Sequence, residues 1–150
     1  MKYIVNLAAA SLLLIPALSA ADTKVKMADL PPAVQTAVKE QTKTATLVGL
    51  VRETENGKTT YEAETTVNGK GRDVSFDKTG VIVAVEQEVD LDSIPAAAKA
   101  AFQKKIGAGK LKKVESVTEG KAVSYEATIV KAGKSSEVGV NADGTPHKED

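Results

Sequence analysis

The stretch Thr60-Tyr61-Glu62-Ala63-Glu64 alternates polar and apolar side chains, and Asn68-Gly69 follows it with a turn. Such alternation is typical of a β-strand with one buried face and one polar face. Sixty-four residues later the chain repeats the centre of this stretch as Tyr125-Glu126-Ala127. The same half-buried strand is therefore written twice.

The repetition extends well beyond these three residues. Residues 30–86 align with residues 94–150 without a gap, and 13 of the 57 pairs are identical, where average composition would give about four. Internal repetition defines the unit that folds. We therefore predict two tandem repeats, residues 28–88 and residues 89–150.

Each repeat begins with a helix signal and continues as strands. Pro31 and Pro95 stand in the first turns, and apolar residues then recur at helical spacing. The two apolar stripes are Val34, Ala37, Val38 and Ala98, Ala101, Phe102. Asn56-Gly57 and Asn68-Gly69 indicate hairpin turns between the strands that follow. The predicted fold class is α+β, with one helix packed on a four-stranded antiparallel meander sheet in each repeat.

The last strands of the two repeats differ. Residues 81–85 are apolar on both faces, whereas residues 145–150 are polar and include Pro146, which cannot donate a hydrogen bond to a neighbouring strand. The last strand of the second repeat is therefore predicted to be weak or missing. Residues 81–85 could form the seam between the repeats, an attachment surface or an ordinary edge strand.

Residues 1–20 have the pattern of a secretory signal peptide. Lys2 supplies a positive start, residues 7–15 an apolar run, and Pro16 is followed by small residues. The run is too short to span a membrane. We expect cleavage after Ala20 or Ala21 and a periplasmic or secreted protein with no membrane attachment after cleavage. The chain has no cysteine, so packing alone must hold the fold.

Composition argues against nucleic-acid binding. The chain has 20 basic and 20 acidic side chains, and lysine alternates with glutamate along most segments. A nucleic-acid partner requires a clustered positive field, which this distribution does not form.

The sequence also lacks the residue patterns that are typical of catalysis or of cofactor binding. The one histidine, His147, lies in a polar tail, no cysteine is present, and no glycine-rich phosphate loop follows a strand. Residues 141–144 echo part of a calcium loop but lack its first acidic ligand and its closing glutamate, so they are predicted to form a turn. We expect a protein that is not an enzyme and that has no cofactor and no metal site.

The polar face of the sheet is the predicted partner-binding surface. It combines carboxylates and hydroxyls from both repeats and also includes Ser75 and Ser124. Its principal residues are Thr60, Glu62, Glu64, Asp73, Glu126, Thr128 and Glu137. Tyr61 and Tyr125 lie on the opposite, core-facing side of the same strands.

The order of motifs in the first repeat resembles that of the PepSY-like group, also described as beta-lactamase-inhibitor-like. The resemblance is carried by Leu30-Pro31-Pro32-Ala33-Val34, by Gly57-Lys58-Thr59-Thr60-Tyr61-Glu62-Ala63 and by Phe76-Asp77-Lys78-Thr79-Gly80. It implies a secreted or periplasmic, non-catalytic protein whose sheet binds or inhibits another protein, with peptidases and beta-lactamases as the partners of relatives. It transfers no site residue to this chain.

Two functions are consistent with the sequence. The first is an exported binding module that engages a protein or peptide of the cell envelope through a sheet face or edge and restrains a hydrolase or peptidase. The second is an envelope protein that binds a small ligand or a cation with the carboxylates of the sheet face. The oligomeric state is left open by the sequence.

Overall fold

The structure, a computed structural model, describes residues 22–55 and 57–147. The predicted signal peptide lies outside the described residues, as do Asn56 of the first hairpin turn and the last three residues of the second repeat. The following statements concern the described part of the chain.

The chain forms an α+β fold with one nine-stranded antiparallel sheet and two α-helices. Each strand pairs with the strands before and after it in the sequence, so the sheet is a continuous meander. The strands are β1 Thr23–Lys24, β2 Thr46–Glu55, β3 Lys58–Val67, β4 Lys70–Phe76, β5 Ile82–Glu88, β6 Lys110–Glu119, β7 Ala122–Lys131, β8 Lys134–Asn141 and β9 Pro146–His147. The helices are α1 Pro32–Gln41 and α2 Ala96–Ile106.

The two halves of the chain share a single sheet. Strand β5 pairs with β4 on one side and with β6 on the other, and Val85 lies opposite both Val74 and Thr118. Strand β5 is therefore the seam between the halves, and the pairing with β6 runs over residues 85–88, so only Val85 of the valine-rich segment 81–85 takes part in it. The first residues of that segment, Val81 and Ile82, are exposed, and the strand begins at Ile82.

Both helices pack on the same face of this sheet. Val34 and Val38 of α1 are buried against the β3 and β4 residues Ala63 and Val74, and α2 is buried in an equivalent cluster. That cluster contains Ala98, Phe102, Val114, Ala127, Ile129 and Val140. Because Val85 packs on the first cluster and shares its sheet face with Val114 through the β5–β6 register, one layer of helices covers one face of the sheet.

Positions 64 residues apart occupy the same places in the register. Leu50 lies opposite Ala63 and Val114 lies opposite Ala127, and a β-bulge falls at the same place in β2 and β6. Gly80 and Gly144 both adopt a φ of 82°, and a Cβ on either would lie 2.7 Å from a carbonyl oxygen at the start of the neighbouring helix. Glycine is required at both turns because they contact a helix and have positive φ.

The sheet has an edge strand that the sequence did not predict. Strand β1 is only two residues long, too short to produce a period-two pattern, and it covers part of the edge of β2. At the other edge the predicted weak strand is present as β9, which pairs with Gly139 and Val140. Its Pro146 is the first residue of an edge strand, where a missing N–H is tolerated.

The helix contact can be tested with a matched pair of substitutions in α2. Ala98 is fully buried in the second core cluster, whereas Ala100 is exposed. Ala98→Asp should lower the free energy of unfolding by about 3 kcal/mol or more, because it buries an unpaired carboxyl group. Ala100→Asp should change it by about 0.5 kcal/mol or less. Equal urea-unfolding midpoints for the two variants would contradict this packing.

Candidate functional site

The sheet face that points away from the helices carries most of the carboxylates of the strands. Most of these residues are direct neighbours of a core residue and so point to the other side: Glu62 and Glu64 flank Ala63, and Glu126 precedes Ala127. We call this surface the acidic sheet face. Its carboxylates include those of Glu53, Glu62, Glu64, Asp73, Glu86, Glu88, Glu115, Glu126 and Glu137.

All seven residues predicted from the sequence as a partner-binding surface lie on this face. Glu64 is opposite Asp73, Thr128 is opposite Glu137, and Thr60 is two residues before Glu62 on the same strand. The structure therefore brings residues of both halves onto one continuous surface.

The second half of this face includes several buried polar residues. Glu126, Thr128 and Ser124 are only 9%, 8% and 5% exposed, whereas Glu137 is exposed. No described helix covers this side. Strand β7, which carries these buried residues, lies between β6 and β8, and Glu126 stands between Glu115 and Gly139.

The densest group of carboxylates lies at the seam. Asp73 of β4, Glu86 of β5 and Glu115 of β6 each offer an oxygen, and these oxygens lie within 4.8 Å of one another. Lys113 Nζ contacts Glu115 Oε1 at 2.7 Å. Since Asp73 and Glu86 come from the first half and Glu115 and Lys113 from the second, neither half builds this cluster alone.

Sequence reasoning missed Glu86, Glu115 and Lys113 as members of the face. Strand β6 has a bulge between Leu111 and Lys113. These two residues are two positions apart and would share a face in a regular strand, but the bulge makes them point to opposite sides of the sheet. The alternation on either side of a bulge cannot be joined into one pattern. Glu115 could have been found as the residue that follows Val114, a core residue of the second half of the chain.

The crowding has a measurable electrostatic consequence. Burial and, to a smaller extent, the negative charges of Glu53, Asp73, Glu86 and Glu64 together raise the pKa of Glu62 to about 8. Burial also raises the pKa of Asp73, although the N–H of Thr65 and the charge of Lys113 oppose the change. Carboxylates are therefore held close together at the cost of their ionisation.

Lys113 is the cation that the protein itself supplies to this group. Burial lowers the pKa of Lys113, but the hydrogen bond to Glu115 and the charges of Glu115, Asp73 and Glu86 outweigh it and raise the pKa overall. An ammonium group is thus stabilised at the centre of the face. The same chemistry would favour a lysine or arginine side chain brought by a partner.

The sequence predicted that His147 lies in a polar, solvated tail, and this prediction is wrong. His147 is half-buried in β9, and its Nδ1 lies 3.1 Å from Asn141 Oδ1. A cleft of about 190 Å³ beside it is lined by Glu126, Glu137, Gly139 and His147. Gly139 leaves space here, because a Cβ at this position would lie 2.9 Å from the carbonyl oxygen of His147.

Residues 141–144 form a turn, as predicted. Asp143 accepts hydrogen bonds from the backbone N–H of Thr145 at 2.9 Å and from its hydroxyl at 2.6 Å. These bonds, that of the hydroxyl first, lower the pKa of Asp143. Its carboxylate is used to close the turn.

The fold is found in proteins of Bacteroides. A structure from Bacteroides eggerthii, provisionally described as periplasmic, has 22% sequence identity over 79% of this chain and 86% of its own, with a TM-score of 0.63. A DUF2874 family protein from Bacteroides uniformis has 22% identity over 79% of this chain and 86% of its own, with a TM-score of 0.60.

A BLIP-like protein from Bacteroides fragilis is also similar, with 20% identity over 79% of this chain and 83% of its own and a TM-score of 0.54. No protein-family model matches the sequence, and neither does any curated protein sequence. The two described helices are both too short or too polar to cross a membrane. The chain therefore has a BLIP-like α+β fold, and its relation to PepSY proteins stays a prediction.

The state of Glu62 can be tested through the pH dependence of stability. The folded protein binds the proton of Glu62 more tightly than the unfolded chain does, with a pKa of about 8 against an ordinary value of 4.5. Stability should therefore fall as the pH rises from about 4.5 to about 8. Glu62→Gln should reduce this dependence and raise the urea-unfolding midpoint at pH 8. Glu137→Gln, an exposed position on the same face, is the control. A Glu62→Gln variant that loses stability at pH 8 would contradict the crowding.

Proposed function

We propose that this protein is an exported, non-catalytic binding module of the periplasm whose acidic sheet face takes up a cationic segment of a protein or peptide partner. The observation that carries the proposal is the crowding of carboxylates on the sheet face that no described helix covers. Periplasmic location is supported by the sequence of residues 1–20 and by the descriptions of similar structures. The partner class we propose is an envelope hydrolase or peptidase, in line with the BLIP-like fold.

Electrostatics favours a cationic partner. Two like charges 4 Å apart repel by about 4 kcal/mol at an effective dielectric constant of 20. Neighbouring carboxylates contribute to the raised pKa of Glu62, after burial, which is the larger cause. A lysine or arginine placed among these side chains would replace repulsion by attraction, and the half-buried setting would limit screening by salt.

The matching arrangement of the two halves supports an origin of the acidic sheet face by duplication of one half of the chain. We propose that the chain arose as two tandem repeats, residues 28–88 and 89–150, fused through the β5–β6 pairing. Matching register positions 64 residues apart and the matching glycine turns support this. The fusion places the carboxylates of both halves on one surface, with Asp73, Glu86 and Glu115 meeting at the seam.

A second candidate function is binding of a divalent cation such as Ca²⁺. The specific observation in its favour is the close approach of the Asp73, Glu86 and Glu115 oxygens, since hard cations prefer carboxylate ligands. Lys113 competes for the same charge, because its ammonium group contacts Glu115. A metal would therefore have to displace a lysine.

The proposed function predicts binding of a simple polycation. A fluorescently labelled ten-lysine peptide should bind the full chain, and raising the salt concentration should weaken the complex. At about pH 9, above the pKa of about 8 of Glu62, the triple variant Glu62→Gln, Glu64→Gln, Glu137→Gln should weaken binding by about tenfold or more in fluorescence anisotropy, because it removes three ionised carboxylates from the face. Glu126 is left unchanged because it is buried.

A control variant has the same net charge as this triple variant but keeps every carboxylate of the acidic sheet face. It changes three exposed carboxylates elsewhere, Asp22→Asn, Glu40→Gln and Asp92→Asn, and should bind the peptide as the wild type does. Equal weakening in both triple variants would show that net charge alone attracts the peptide and would reject the face as the binding site.

The second candidate predicts a calorimetric signal. Titration of the full chain with CaCl₂ should give heat with one ion bound, and Asp73→Asn should abolish it while Glu137→Gln should not. The absence of heat at millimolar Ca²⁺ would remove this candidate and leave the polycation proposal untouched.

A further inference from the structure

A second cleft lies on the helix side of the sheet, away from the acidic sheet face. It has a volume of about 470 Å³ and is open to solvent at the C-terminal end of α1. Its walls come from this helix end, from the loop that follows it and from strands β3 to β5. Its polar lining residues are Glu40, Gln41, Lys43, Thr44, Arg72 and Gln87.

Arg72 is the chemically unusual member of this wall. It is half-buried on the core-facing side of β4, next to the buried Thr65, whose hydroxyl donates to the Arg72 carbonyl oxygen. Its Nη2 donates to Gln41 Oε1 at 3.0 Å, and among residues 22–55 and 57–147 it makes no ion pair. A half-buried guanidinium with five N–H donors thus has a neutral partner and no carboxylate.

Arginine is rare in this chain. The sequence contains two arginines and eighteen lysines, and the other arginine, Arg52, is exposed on the strand next to the β1 edge. Arginine offers a planar fork that matches a carboxylate with two parallel hydrogen bonds, which lysine cannot do. The one half-buried arginine is the one that lines a cleft.

The rest of the cleft is compatible with an anion. The last carbonyl oxygens of α1 carry partial negative charge, which repels an anion. One of them, that of Val38, accepts a hydrogen bond from the Thr42 hydroxyl at 2.9 Å, which reduces this repulsion. Lys43 pairs with Glu40, but both side chains are about two-thirds exposed, so their interaction is weak and exchangeable.

We propose that this cleft binds the free carboxylate of a short peptide, with Arg72 as the fork that receives it and Lys43 as a second cation. The volume is within the range of small-molecule sites. The Gln87 amide nitrogen donates to the Gly71 and Glu88 carbonyl oxygens, which leaves the Gln41 amide N–H groups and the Thr44 hydroxyl as the neutral groups that match a peptide. The second half of the chain lacks this site. Ser136 stands at the position of Arg72, and the equivalent helix end is occupied by Lys131, whose Nζ donates to the Lys105 carbonyl oxygen at 2.7 Å.

The test is an NMR titration of the full chain with N-acetyl-Ala-Ala carrying either a free carboxylate or a C-terminal amide. The carboxylate form should shift the Arg72 Nε–H resonance and the backbone amides of Lys43 and Thr44, and the amide form should bind at least about tenfold more weakly. Inorganic phosphate is titrated separately. Tighter binding of phosphate than of the peptide would overturn the proposed ligand class.

Three variants separate binding from structure. Arg72→Gln should weaken the peptide by about tenfold or more, Arg72→Lys should weaken it less, and Arg52→Gln should leave it unchanged. Thermal unfolding identifies any variant that has lost its fold, and Arg72→Lys keeps the test valid if Arg72→Gln unfolds. The proposal is overturned if the wild type shows no shift with the carboxylate form at about 10 mM, or if the folded Arg72 variants bind as the wild type does.

Discussion

The placement of both helices on one face of a single sheet is the constraint on which the rest of the structure depends. The apolar side chains of the strands need a second layer to bury them, and α1 and α2 provide it on one side only. Every alternate residue of the strands must then lie on the uncovered side. In this chain each strand from β3 to β8 places at least one glutamate or aspartate on that side, so the packing that forms the core also assembles the acidic sheet face.

Part of this arrangement could be predicted from the sequence. The Tyr-Glu-Ala segments show the alternation of both β3 and β7, and the α1 and α2 stripes identify buried residues such as Val34 and Phe102. Local patterns suffice there because period and face are properties of a single strand or helix. The seven predicted residues of the polar face lie together for the same reason.

What the sequence did not provide depends on long-range pairing. The β5–β6 register brings Glu86 beside Val117 and Glu88 beside Glu115, and the bulge in β6 reverses the faces of Leu111 and Lys113. Neither feature has a local signature. The burial of Glu126 and Thr128 likewise results from neighbours on other strands, and β1 is too short to have a periodic pattern.

The central claim is that the carboxylates of the acidic sheet face are crowded and that a cationic partner reduces the repulsion between them. The most direct test is a carbon-13 NMR titration of the Glu62 side-chain carboxyl group, alone and with saturating ten-lysine peptide. The account predicts a midpoint near 8 in the free protein and a clearly lower midpoint in the complex, because a neighbouring cation favours the ionised form. A midpoint near 4.5 in the free protein, or one that the bound peptide leaves unchanged, would contradict it.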